Sequence, residues 1–280
     1  MPETRKHRFL RLLKPHKGKL GLKVLPNIIT VIGMLCGFFS MVASLTTGSF
    51  YLAAMLILIA AVLDTLDGKI ARLAAAESEI GRQYDSLADM VSFGVAPAVL
   101  VYSWMTTIAV APALMASAVY LVCVGLRLAR FNIGGQEQMG PFYRGLPSPM
   151  SALCLSSLIV LFSGALTGVL APLATLLNPA ALVIVCAFTL AVSLLTVSNI
   201  KYYKFQEIRS PNTHVEHIVS VLVIAAVFGL LFYDLPVATF ALSSIYVIGG
   251  LIRPLASKWR RKQQQQSKTE SAEYPQKQNA

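Results

Sequence analysis

Residues 64–89 read Asp64-Thr65-Leu66-Asp67-Gly68-Lys69-Ile70-Ala71-Arg72, then eight further residues, then Gly81-Arg82-Gln83-Tyr84-Asp85-Ser86-Leu87-Ala88-Asp89. Four carboxylates stand at helical spacings on the facing ends of two apolar runs, in a chain that otherwise keeps acids rare. Residues three, four and seven apart stack along a helix, so Asp64, Asp67 and Ala71 line one face. Gly81, Asp85 and Asp89, four apart, line one face of the next helix. Two helices meeting there bring four acids together, and like charges that close need compensation. Oxygen-only donors favour Mg2+, Mn2+ or Ca2+, and no Cys or His accompanies them to indicate zinc. The plainer alternative is four solvated acids, or acids paired with Lys69, Arg72 and Arg82. It accounts poorly for four carboxylates in register with Gly68, Ala71 and Gly81, small residues placed where a bulky ligand needs room.

The flanking runs set the fold class. Hydrophobic residues make up 55% of the chain and charged residues 13%, and the apolar residues come in long uninterrupted stretches rather than amphipathic ones. That composition predicts an all-α, polytopic integral membrane helical bundle. About eight transmembrane helices are expected, near 27–46, 50–66, 86–108, 112–130, 150–170, 179–198, 215–233 and 236–256. Lys and Arg are confined to the N-terminal tail, to 69–82, 127–144 and 201–209, and to the stretch from Arg253 onward. The alternate connections have none, which predicts both termini and the four acids on the cytoplasmic side. The net charge of +11 is dispersed over these membrane-adjacent segments, a pattern that suits anionic lipid head groups and argues against nucleic acid as a partner. Cys36, Cys123, Cys154 and Cys186 each lie alone in an apolar run and read as small buried thiols.

Three units are expected along the chain. Residues 1–24 form a basic cytoplasmic segment, partly amphipathic, with Phe9, Leu10, Leu12, Leu13 and Leu20 among its cations. Residues 25–257 form the membrane domain, and 258–280 a polar, disordered C-terminal tail. At the start of the first span, Asn27 and Thr30 follow Pro26 one turn apart and serve either as caps or as hydrogen-bond donors to a nucleotide or phosphate. Gly33 and Gly37 form a small-xxx-small pair suited to close helix packing. Ser92 and Ala96 continue the face of Asp85 and Asp89, and Pro97 is expected to kink the helix. Arg127, Arg130 and Asn132 end a later span, where cations suit the helix dipole or bind phosphate or carboxylate. Asn199 to Lys204 read as an interfacial aromatic and basic belt, and His214 and His217 as surface residues.

The pattern Asp64-x2-Asp67-Gly68-x2-Ala71-Arg72-x8-Gly81-x3-Asp85-x3-Asp89 resembles, without a departure, the signature of the CDP-alcohol phosphotransferase family. Flanking pieces are similar to its membrane-embedded, serine-using branch: Pro26-Asn27 with Thr30, Ser92-Phe93-Gly94, Arg130-Phe131-Asn132, Gly145-Leu146-Pro147-Ser148-Pro149, and 198–205. The resemblance covers roughly residues 25–205. It implies an enzyme of phospholipid biosynthesis that transfers phosphatidyl from CDP-diacylglycerol to L-serine, releasing CMP, with two ions of Mg2+ or Mn2+. It also implies that Asp64, Asp67 and Asp85 are metal ligands, and that Asp89 is general base and a ligand of the second ion. Asn27, Thr30, Gly68, Ala71, Arg72 and Gly81 would surround the CDP-lipid. Arg127, Arg130 and Asn132 are candidates for the serine site. A homodimer in a prokaryotic cytoplasmic membrane, with its site facing the cytoplasm, completes the expectation. Two alternatives stand beside it: a sister transferase with another acceptor, such as a phosphatidylglycerophosphate synthase, and a cation transporter using buried acids. Transport would put acids near mid-span, whereas these cluster at one edge.

Overall fold

The computed structural model describes residues 20–73, 79–134, 142–163, 180–203 and 238–250. Helix α1 (Leu20–Val42) ends in a π-helical turn over Ala43–Thr47, and Gly48, at φ 61°, turns the chain into α2 (Phe50–Leu73). So short a connection folds α2 back along α1, and these two helices share the most extensive contact among the described elements. Helix α3 (Glu79–Asp89), a second π-helical turn (Met90–Val95) and α4 (Ala96–Thr106) run on as one 28-residue helical stretch. Next come α5 (Val110–Gly134), strand β1 (Phe142–Arg144), α6 (Ser148–Phe162), α7 (Ala181–Val197) and strand β2 (Lys201–Tyr203). Helix α8 is Ala238–Gly250.

Among the described residues, four stretches are long and apolar enough to cross a bilayer: Pro26–Thr47, Phe50–Ala71, Glu79–Thr106 and Val110–Ile133. Three of them carry a row of exposed large apolar side chains, such as Ile28, Ile32, Leu35 and Phe39 on α1, Leu52, Ile59, Val62 and Leu66 on α2, and Leu114, Met115, Val122 and Leu126 on α5, while Glu79–Thr106 is the most buried of the four. In water such faces would be a liability; in lipid they are the solvent-facing side. The protein is therefore an integral membrane helical bundle. Three shorter apolar helices, α6, α7 and α8, match the expected spans at 150–170, 179–198 and 236–256 over part of their length. The expected span at 215–233 lies outside the described residues, as do residues 1–19, the tail at 258–280, His214 and His217, while residues 20–24 belong to α1.

One expectation is corrected. The chain is not wholly α: β1 and β2 pair antiparallel, with Phe142 opposite Tyr203, Tyr143 opposite Tyr202 and Arg144 opposite Lys201. The stretch expected to be an interfacial belt thus supplies a strand, and Tyr202 is buried and stacked on Tyr246 of α8, ring centroids 5.5 Å apart. Gly145 makes the corner after β1. Its φ of +75° suits glycine, and a Cβ there would stand 2.3 Å from the Thr196 carbonyl oxygen. Its N–H donates to Ile200 O at 2.8 Å, and that of Leu146 donates to Leu195 O at 3.0 Å.

The core explains how the acids are delivered. On α2 the residues Ala53, Ile57 and Ala60 are buried at spacings of four and three, and continuing that rhythm gives Asp64 and Asp67. Small side chains let α1 approach closely along this face. Gly33 faces Leu63 and Ala60 of α2, and a Cβ on Gly37 would stand only 2.7 Å from the Ser92 Cα. The Gly33/Gly37 pair is therefore engaged in packing within the chain.

The second π-helical turn changes the other expected face. A π turn inserts one residue into the helical repeat and rotates everything beyond it. Ser92 stays beside α1 and donates to Gly33 O at 3.1 Å, while Ala96 is turned fully into the core. Pro97 follows immediately, in the first turn of α4. Proline has no N–H for the carbonyl four residues back, Phe93 O. The buried Tyr120 hydroxyl on α5 donates to that oxygen instead, at 2.8 Å.

Candidate active site

The expected convergence of acids is present. Asp64, Asp67 and Asp85 each offer a carboxylate oxygen, and these oxygens lie within 4.8 Å of one another. The fourth acid, Asp89, is hydrogen-bonded to Asp64. All four line one cleft with Thr30, Gly33, Met34, Ala60, Ala88, Ser92 and Phe93. Acids and apolar side chains thus line the same cleft, a combination suited to a ligand with a charged head and a greasy body. Three carboxylates this close repel one another, and oxygen donors at this separation fit a hard divalent cation.

The surrounding side chains hold the acids in place. Thr30 Oγ1 lies 2.7 Å from Asp67 Oδ2 and 3.0 Å from Pro26 O, so its single proton serves the carboxylate or its own helix. Asp67 is only 5% exposed, and the contact fixes its orientation from a different helix. Lys69 and Arg82 are exposed; the basic charge acting on Asp64 and Asp89 is Arg127. The alternative of acids paired with local cations is thereby unsupported for these two residues. The side chain of Arg72 lies outside the described residues.

The remaining expected residues separate into those near the cleft and those engaged elsewhere. Gly68 has open space where a Cβ would stand, while Ala71 and Gly81 are half-buried on the ends of the two acidic helices. Asn27 is exposed one turn before Thr30. Arg127 is 8% exposed, donates from Nη1 to Ser148 Oγ at 3.0 Å, and has the Phe131 ring 6.0 Å from its Cζ. Arg130 is occupied differently. Its guanidinium donates to Val197 O at 3.1 Å, Ser198 O at 3.3 Å, and Arg144 O and Asn199 Oδ1 at 3.5 Å. It caps the end of α7, where carbonyls lack helical partners. Asn132 accepts from Ser86 Oγ at 3.0 Å, tying α5 to the helix that carries Asp85.

Sequence reasoning passed over two residues that matter here. Tyr120 sat in an apolar run with nothing to mark it, because its partner Phe93 O becomes available only through Pro97. Ser148 was visible inside Gly145-Leu146-Pro147-Ser148-Pro149, but its role depends on Arg127, which approaches from another helix.

Comparison with known proteins agrees with this geometry. A family model described as CDP-alcohol phosphatidyltransferase matches residues 23–180. The CDP-diacylglycerol–serine O-phosphatidyltransferase of Mycobacterium leprae (strain TN) is 40% identical over 148 residues, 51% of this chain and 48% of that protein. The protein of the same name from Bacillus subtilis (strain 168) is 31% identical over 191 residues, 68% of this chain and 96% of that protein. The archaetidylserine synthase of Methanothermobacter thermautotrophicus is 35% identical over 182 residues, 64% of this chain and 69% of that protein. The chain spans about half the length of the mycobacterial relatives it matches. Because the matching model runs over more than half of the residues and takes in all four acids and the helices that carry them, the chain belongs to the CDP-alcohol phosphatidyltransferase family.

Proposed function

We propose that the protein transfers the phosphatidyl group of CDP-diacylglycerol to the hydroxyl of L-serine, giving phosphatidylserine and CMP. The observation that carries this reading is the convergence of Asp64, Asp67, Asp85 and Asp89 on one cleft that apolar side chains also line. The names of the relatives support the acceptor. Asp64, Asp67 and Asp85 would hold the divalent cations, Mg2+ or Mn2+, and Asp89 would share in a second ion. When bound, such ions neutralise charge on the pyrophosphate and on the leaving CMP oxygen.

The chain's own residues do the rest. Asp89 takes the proton of the serine hydroxyl as that oxygen attacks the phosphorus bearing diacylglycerol. The new bond is serine oxygen to phosphorus, the broken one is phosphorus to the CMP oxygen, and the displacement needs no covalent enzyme intermediate. Thr30 holds Asp67 in orientation. Gly68, where a Cβ would meet open space, and Asn27, Ala71, Arg72 and Gly81 are the residues that receive the cytidine and ribose in this reading. Met34, Ala60 and Phe93 offer the lipid an apolar side. The carboxylate of serine is received by the Arg127 and Asn132 end of α5. Arg130 supports the same end through its bonds to α7.

In this reading the mouth faces the cytoplasm from a prokaryotic inner membrane with both termini on that side, and the distribution of Lys and Arg supports that orientation. Anionic membrane lipids, and a second copy of the chain in a homodimer, are the further partners of this reading. Purified protein given CDP-diacylglycerol should release CMP only with serine and Mg2+ or Mn2+, and a chelator should stop it. An acceptor panel decides the rest. Turnover with glycerol 3-phosphate in place of serine would make the protein a phosphatidylglycerophosphate synthase, and CMP release with neither, alongside cation flux, would point to transport.

A further inference from the structure

The turn Gly145-Leu146-Pro147-Ser148-Pro149 has no part in the chemistry described so far, and its geometry is costly to build. Gly145 is held at a positive φ against the Thr196 carbonyl, and two backbone hydrogen bonds fasten it to the end of α7. What this construction delivers is the Ser148 hydroxyl, 1% exposed, at the start of α6 and 3.0 Å from Arg127 Nη1. We propose that Ser148 is a positioning residue for the acceptor: it orients the Arg127 guanidinium so that Nε receives the carboxylate of an amino-acid alcohol whose hydroxyl lies at Asp89. This rests on the reading of serine as acceptor.

Three observations support the assignment. A buried guanidinium needs acceptors for its donors, yet Arg127 Nε has none among the described residues. Arg127 and Asp89 lie near enough for each charge to act on the other, so an anion on Arg127 is in the neighbourhood of the group that removes the acceptor proton. Serine carries hydroxyl and carboxylate on neighbouring carbons, and a hydroxyl at Asp89 leaves its carboxylate within reach of a cation close by. Arg130 cannot share the task in this arrangement, because its donors are committed to four acceptors around α7 and β1. Beside the Phe131 ring, the Ser148 hydroxyl directs the Arg127 guanidinium through the hydrogen bond at Nη1.

The test compares Ser148→Ala and Ser148→Thr with the wild type in the full-length protein, using L-serine and L-serinamide, which keeps the hydroxyl but lacks the carboxylate. In Ser148→Ala the KM for serine should rise about tenfold while kcat and the KM for CDP-diacylglycerol change little, because a hydrogen bond to a charged group is lost without touching the donor lipid. Turnover of serinamide, already poor, should fall by much less, and Ser148→Thr, which keeps the hydroxyl, should restore the serine KM. An equal loss with both acceptors, or a fall in kcat with KM unchanged, overturns the proposal. An unchanged CDP-diacylglycerol KM shows that Ser148→Ala is folded. A wild type that releases CMP with another alcohol but not with serine overturns the acceptor reading itself, and is seen before any variant is made.

Discussion

Thr30 Oγ1 stands 2.7 Å from Asp67 Oδ2, so one membrane helix holds a carboxylate that belongs to the next. Thr30→Val keeps the shape and removes the hydroxyl. Partners that orient metal ligands are worth about 10- to 100-fold in metal affinity. The variant should therefore need at least about tenfold more Mn2+ or Mg2+ for half-maximal CMP release, with maximal rate largely recovered at saturating metal. A titration of activity against free metal measures this.

Asp89 and Asp67 should fail in different ways. Asp89→Asn removes the base and is expected to lower kcat by about 10^2- to 10^4-fold, while CDP-diacylglycerol still binds. Asp67→Asn weakens the seat of the cation, so part of its loss should return with added metal. Single-turnover CMP release across a metal series separates the two.

Tyr120→Phe tests the repair at Pro97. Without the hydroxyl, Phe93 O loses the donor that stands in for the missing proline N–H, and Ser151 Oγ loses its neighbour at 3.1 Å. A buried carbonyl left short of a donor costs about 1–3 kcal/mol. Thermal unfolding in detergent should show a lowered midpoint, with serine and CDP-diacylglycerol KM values unchanged in the surviving folded fraction.

Gly145→Ala should be more damaging than most single-methyl additions. A left-handed residue that is not glycine costs about 1–3 kcal/mol, and here the Cβ also meets a carbonyl oxygen at 2.3 Å. Loss of folded protein, followed by size-exclusion yield and unfolding midpoint, is the expected result. Full stability would show that the corner relaxes freely.

What could be read from the sequence was local. The four acids lie within one short stretch, and their spacings of three and four fix a shared helix face without any tertiary knowledge, so their convergence was foreseeable. The membrane helices were foreseeable for a similar reason, since continuous apolar runs announce their solvent. The β1–β2 pairing was not, because its strands are three residues each and lie far apart in the chain. The two neighbouring arginines were equally opaque. Arg127 and Arg130 are alike in type and setting, and only the distant residues Ser148, Val197 and Ser198 assign them different work. The π turn over Met90–Val95 likewise defeated simple periodicity, and Ala96 went inward where a regular helix would have kept it beside Asp89.

Gly68 sits inside α2, where glycine costs about 0.5–1 kcal/mol relative to alanine, yet a methyl group there would touch nothing among the described residues. Packing therefore gives no reason for the smallest residue at that position. A helix that tolerates this weakness one residue past Asp67 is shaped by its guest, and position 68 is where selection for stability and selection for occupancy pull in opposite directions.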